Sequence, residues 1–176
     1  MQNTAVDKQF RNVSYGGTPK EALLYRLRDS GVELNDFARG LFADARFTTS
    51  AVPAEVQVAE VSVASLGFPA GATFELLVEG AAAAGLALCP LELGPHLRLA
   101  LLDQPEGAAG RPPTQGCAPH GAITVASPPL DSDEEVPKGF YLRRIEGTLW
   151  LRGYRSWSGH LWSPGDVLAF IKSREA

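Results

Sequence analysis

One segment constrains the fold more than any other: FYLRRI-EG-TLWLRG, residues 140–153. Two runs of alternating side chains joined by Glu146-Gly147 describe a β-hairpin with a two-residue turn, which needs left-handed backbone and so favours glycine. That turn fixes the register: Ile145 pairs with Thr148, Arg143 with Trp150 and Tyr141 with Arg152. Phe140, Leu142, Arg144, Leu149 and Leu151 then share the more apolar face, the natural core face. Tyr141, Arg143, Ile145, Thr148, Trp150 and Arg152 share the other. Two strands cannot hide an apolar face alone, so the rest of the chain must supply more sheet and a covering layer.

The remaining patterns supply both. Thr18-Pro19-Lys20-Glu21 opens a helix over residues 18–30, with Leu23, Leu24 and Leu27 as its stripe and Gly31 as its stop. Asn35 caps a second helix over 36–46, and the short connector Gly31–Leu34 predicts that the two form a helical hairpin. VQVAEVSV (56–63) alternates as a strand, and residues 72–84 form a third helix that buries Phe74, Leu77, Val78 and Ala81. LALCPLEL and HLRLALLD have period two and predict two strands separated by Gly94-Pro95. A short strand at Ala122–Ala126 and a last one in DVLAFIK complete the set. The expected fold class is α+β: an N-terminal helical hairpin and one further helix packed on one face of a mostly antiparallel, twisted sheet. Residues 1–176 read as a single domain, with 1–16 free to be disordered and 105–121 and 127–138 as long loops.

Composition narrows the function classes. The net charge of −4 and pI near 5.4 exclude a wholly basic nucleic-acid binder. The most apolar run, residues 80–91, is too short to cross a membrane and is broken by Gly85 and Pro90. No apolar segment follows a basic start at the N-terminus, so a cytoplasmic location is expected, and two cysteines do not make a disulfide scaffold. Twelve of the 16 basic residues are arginine, a bias that points to a GC-rich bacterial source. Walker loops, GxGxxG, HExxH and GxSxG are all absent, which removes the common nucleotide, zinc-protease and serine-hydrolase machineries.

Three constellations could carry chemistry. Cys117-x2-His120 has a zinc-chelating spacing that Cys89 and His96 could complete, although no tight Cys-x2–4-Cys knuckle exists. The plainer reading is two free thiols and no metal. Glu92, His96 and Arg98 lie along one segment, and strand alternation would place His96 and Arg98 together, opposite Leu97 and Leu99. If they lined a pocket, they could hold an anion or move a proton, as in a metal-free hydrolase or isomerase. No serine or cysteine is visibly tied to them, so covalent catalysis has no support.

The third constellation is the outer hairpin face. It interleaves arginines with large aromatics, residues 138–155 carry five cations against Glu146 alone, and Trp157, His160 and Trp162 follow. Tyr141, Arg143, Trp150, Arg152, Arg155 and Trp157 are therefore the candidate partner-binding residues. Such a face suits an acidic protein partner, a second copy of the chain, or single-stranded nucleic acid stacked on its rings. It could also fold back on the chain's own acidic run, Asp131, Asp133, Glu134 and Glu135. The favoured expectation is a non-catalytic binding protein without a cofactor.

The stretches GLALCPLELGPHLRLALLDQPEG (85–107) and PKGFYLRRIEGTLWLRGYR (137–155), with the LGF-x-x-GAT turn at 66–73, resemble a widespread group of bacterial proteins. The likeness covers about two-thirds of the chain and implies no activity. A helicase label carried by some members has no phosphate loop to support it in this chain. Ala100 and the Pro/Gly-rich insertion at 108–121 depart from the group's pattern.

Overall fold

In a computed structural model, residues 8–107 and 118–174 are described. The elements in order are β1 (Phe10–Tyr15), α1 (Lys20–Asp29), β2 (Val32–Leu34), α2 (Asp36–Ala43), β3 (Ala54–Ser62) and α3 (Phe74–Ala83). They continue with β4 (Leu86–Ala87), α4 (Leu93–Ala100), β5 (Ile123–Val125), β6 (Gly139–Ile145), β7 (Thr148–Tyr154) and β8 (Val167–Lys172). The hairpin β6–β7 has the expected register, with Arg143 opposite Trp150 and Tyr141 opposite Arg152. Glu146 at φ 49° and Gly147 at φ 77° make the left-handed turn that sets it.

All eight strands join one sheet in the order β1-β3-β8-β5-β6-β7-β2, with β4 alongside β8. β5–β8 and β2–β7 are parallel and the other pairs antiparallel. α4 touches β1 at one edge and also β6 and β7 near the other, so the sheet curls around it. The inner face carries Val13, Val58, Ile123, Phe140, Leu142 and Leu151, packed against Leu23 and Leu27 of α1, Leu41 and Phe42 of α2, and Leu93 and Leu97 of α4. The outer face carries Ala59, Val61, Leu168 and Phe170 beneath Leu77 and Ala81 of α3 and beside Trp162.

The fold departs from the expectation in four respects. α1 and α2 are not a helical hairpin, because β2 separates them and pairs with the free side of β7. A three-residue strand is too short to show periodicity, and the unpaired edge of β7 supplies the hydrogen bonds that hold it. Of the expected strands at 86–93 and 96–103 only the two residues of β4 are extended; residues 93–100 form α4 instead, and 88–92 and 101–103 are turns and connections. Six of the eight α4 residues, Leu93 to Arg98, are buried, so no apolar stripe betrays the helix, and Pro95 sits in its first turn, where a missing N–H costs nothing. The segment 1–16 contains β1, paired along six residues with β3; FRNVSY is an edge strand that buries only Val13 and so shows no alternation. Finally, the sheet is mixed, and α3 lies on the face opposite the other helices.

Local signals read from the sequence are otherwise present. Asn35 caps α2, accepting from the Ala38 N–H at 2.9 Å, and Gly31 (φ 71°) ends α1. Pro19, not Thr18, holds the capping position of α1 and makes no side-chain bond.

Candidate functional site: the uncovered hairpin face

Alternation along β6 and β7 sends Phe140, Leu142 and Leu151 into the inner core and Tyr141, Arg143, Trp150 and Arg152 to the outer face. α3 covers that outer face over β3 and β8 but does not reach the hairpin, where these four side chains stay half-buried. The Arg152 guanidinium lies 5.0 Å from the Trp150 ring centre and 6.0 Å from that of Tyr141. Such stacking holds a cation flat without neutralising it. The row of rings continues from Tyr141 to Tyr154 (6.4 Å), Trp162 (5.8 Å), His160 (5.3 Å) and Trp157 (4.9 Å).

The five cations of residues 138–155 have different fates. Lys138 donates to the carbonyls of Asp131 and Asp133. Arg144 lies 3.6 Å from the Glu106 carboxylate, and Arg155 pairs with Glu135 while standing over the Phe37 ring on the α2 side of the sheet. The acidic run is engaged elsewhere too, with Asp131 paired to Arg46. Arg143 and Arg152 alone among the five have neither a carboxylate partner nor a hydrogen-bonded carbonyl among the described residues, and the buried Nε of each makes no hydrogen bond. Glu33, exposed on β2 next to Trp150, shares their face but pairs with neither.

Glu92, His96 and Arg98 are buried at 6%, 8% and 0% exposure, and no two of them bond each other. Glu92 accepts the Ser50 N–H, and burial raises its pKa against that bond. His96 stands edge-on to the Tyr15 ring at 6.5 Å, its pKa lowered by burial and by the Arg26 charge. Arg98 donates to Gln104 Oε1 at 2.5 Å, to the Trp150 carbonyl at 3.3 Å and to the Leu101 carbonyl. Burial, then the Arg144 charge, lowers its pKa to about 10 against the pull of Asp103. The helical backbone of α4 places His96 and Arg98 on different partners, where a strand would have set them side by side.

Cys89 is fully buried and its thiol donates to the Ala169 carbonyl at 3.3 Å; burial pushes its pKa far up, so it stays a thiol. His120 is exposed in the turn before β5. Cys117 lies outside the described residues, among which no group of three or more His, Cys, Asp or Glu could hold a metal ion. No helix among the described residues is long and apolar enough to cross a membrane. Comparison with protein-family models, with curated proteins and with solved structures finds no match.

Sequence reasoning missed Phe74 and Ser127, which line a cleft with Trp157 and Trp162. Their elements meet only through the fold, and the one local signal was the pair of tryptophans five residues apart.

Proposed function

We propose that this chain is a cytosolic, non-catalytic binding protein whose outer hairpin face docks on a carboxylate-bearing protein partner. The observation that carries the reading is the pair of unneutralised guanidiniums, Arg143 and Arg152, on a half-exposed face beside Trp150 and Tyr141. Trp, Tyr and Arg are the side chains that anchor protein interfaces, and a partner carboxylate would find its counter-charge already oriented. Membership of the bacterial group that the motifs resemble belongs to the same proposal. An enzyme built on Glu92, His96 and Arg98 is less favoured, since their burial leaves a substrate no surface to meet. A nucleic-acid face is less favoured because a net charge of −4 and two unpaired arginines give little purchase on a phosphate backbone.

The test is a photo-crosslinker, benzoylphenylalanine in place of Thr148, activated in the source cells. The expected product joins the chain to an acidic segment of another protein and disappears in the Arg143→Ala/Arg152→Ala background. Crosslinks to nucleic acid, to a second copy, or to nothing would overturn the proposal.

A further inference from the structure

A second site lies at the far end of the ring row. A cleft of about 290 Å³ opens between the start of α3, the loop 127–138 and the segment after β7. That volume is at the small end of ligand pockets, which begin near ~300 Å³. Phe74, Tyr154, Trp157 and Trp162 wall it, and Trp157 is 55% exposed.

Two polar atoms at its base lack partners. Ser127 and Trp162 are 2% and 5% exposed, and neither Ser127 Oγ nor Trp162 Nε1 makes a hydrogen bond. Gly139 keeps the space above the serine clear, since a Cβ there would sit 3.1 Å from Ser127 Oγ and 3.5 Å from the Tyr154 ring. An indole N–H can only donate and a serine hydroxyl can do so, so the base of the cleft asks for an acceptor. The rim asks for the opposite. Glu75 and Glu134 line it with no ion pair among the described residues, Asp131 adds a third carboxylate, already held by Arg46, and the one cation on the lining, Lys138, is bound to the carbonyls of Asp131 and Asp133.

Few chemistries satisfy both ends. An anion meets three carboxylates against one lysine whose ammonium is already bound to carbonyls. A tetraalkylammonium cation suits the rim and the rings but brings no acceptor to a base that donates. A purely apolar ligand leaves the serine and the indole unpaired. A sugar hydroxyl both donates and accepts, and a sugar ring carries apolar C–H faces that lie flat on indoles. We propose that this cleft binds one neutral sugar ring, stacked on the tryptophans, with its hydroxyls shared between Ser127 and Trp162 at the base and Glu75 and Glu134 at the rim. The ligand parts the rings that close off the two buried atoms and takes up the hydrogen bonds they lack.

The test titrates the full chain with the methyl glycosides of glucose, galactose and mannose and with N-acetylglucosamine, following tryptophan fluorescence, with tetramethylammonium and acetate as controls. At least one sugar should give a saturable change, weakened about tenfold or more in Trp157→Ala, an exposed position that leaves folding intact. Ser127→Ala should weaken binding several-fold and at the same time raise the melting temperature, because it removes a buried hydroxyl without a partner. The Arg143→Ala/Arg152→Ala variant should bind the sugar as the parent does, which separates this site from the hairpin face. Saturation by tetramethylammonium or acetate instead, no saturation by any sugar, or binding unchanged in Trp157→Ala would overturn the proposal.

Discussion

Arg98 is the largest fully buried side chain among the described residues, and no carboxylate bonds it. Its fork is held by neutral acceptors, the Gln104 side chain and two carbonyls, and Gln104 in turn donates to the carbonyls of Gly121 and Leu142. Arg98 thus ties α4 to β7, and through Gln104 to β6 and the turn before β5, which assigns it to architecture. Arg98→Met removes every donor from that set; with each unmet buried acceptor costing about 1–3 kcal/mol, a loss of about 3 kcal/mol or more is expected in urea denaturation. Arg98→Lys should recover little, since an ammonium cannot reproduce the planar fork. His96 gives a pH signature. Its folded pKa lies below the ordinary 6.5, so as pH falls through about 6.5 the unfolded chain takes up the proton first and stability declines. The melting temperature should therefore fall from pH 7.5 to pH 5, and by less in His96→Gln.

At the scale of elements, legibility followed exposure. The hairpin could be read to the residue because one face is apolar, the other polar, and Glu146-Gly147 admits a single tight turn. α4 could not, because a helix buried all round has no polar side to mark its period, and Gly94-Pro95 imitates a strand break. β2 and β1 were hidden for the opposite reason, since each is held by a neighbour's backbone more than by its own side chains. The junction of β2, α2 and β7 shows what sequence leaves out: Asn35, recognisable as a cap, also accepts from the Gly153 N–H at 2.8 Å and donates to the Gly153 carbonyl at 3.0 Å. A Cβ on Gly153 would lie 2.6 Å from the Phe37 carbonyl carbon, so α2 can rest on β7 only over glycine. Gly153→Ala should cost about 1–3 kcal/mol by forcing backbone apart. Asn35→Ala should cost about 1 kcal/mol for the cap and more for the bonds to Gly153. Thermal unfolding of the two variants checks both.

Over the whole molecule, ion pairs tie distant segments together. Arg46 joins Asp44, at the end of α2, to Asp131 in the loop 127–138. The Arg46 hydrogen bond lowers the Asp44 pKa from 3.8 to about 2. A carboxyl depressed in the folded state contributes above its ordinary value and loses that contribution as pH falls from about 4 towards about 2. Carboxyl NMR titration should find Asp44 still ionised at pH 3, and its pKa raised but still below 3.8 in Arg46→Ala, where the N–H of residue 46 still donates to Asp44 Oδ1. Tyr141, Arg143, Trp150 and Arg152 were legible as one face of the hairpin, whereas Arg155, expected with them, lies on the α2 side over Phe37 and pairs with Glu135. What could not be read was which of its cations would find internal partners, because Glu106 and Glu135 reach Arg144 and Arg155 only in three dimensions. The most direct test of the reserved pair is the Arg143→Ala/Arg152→Ala protein, measured once for melting and once for partner crosslinking through position 148. Melting should move by no more than about 2 °C, as for surface substitutions worth about 0.5 kcal/mol, while the crosslink is lost. A chain that fails to fold, or that melts normally and still crosslinks, would contradict the account.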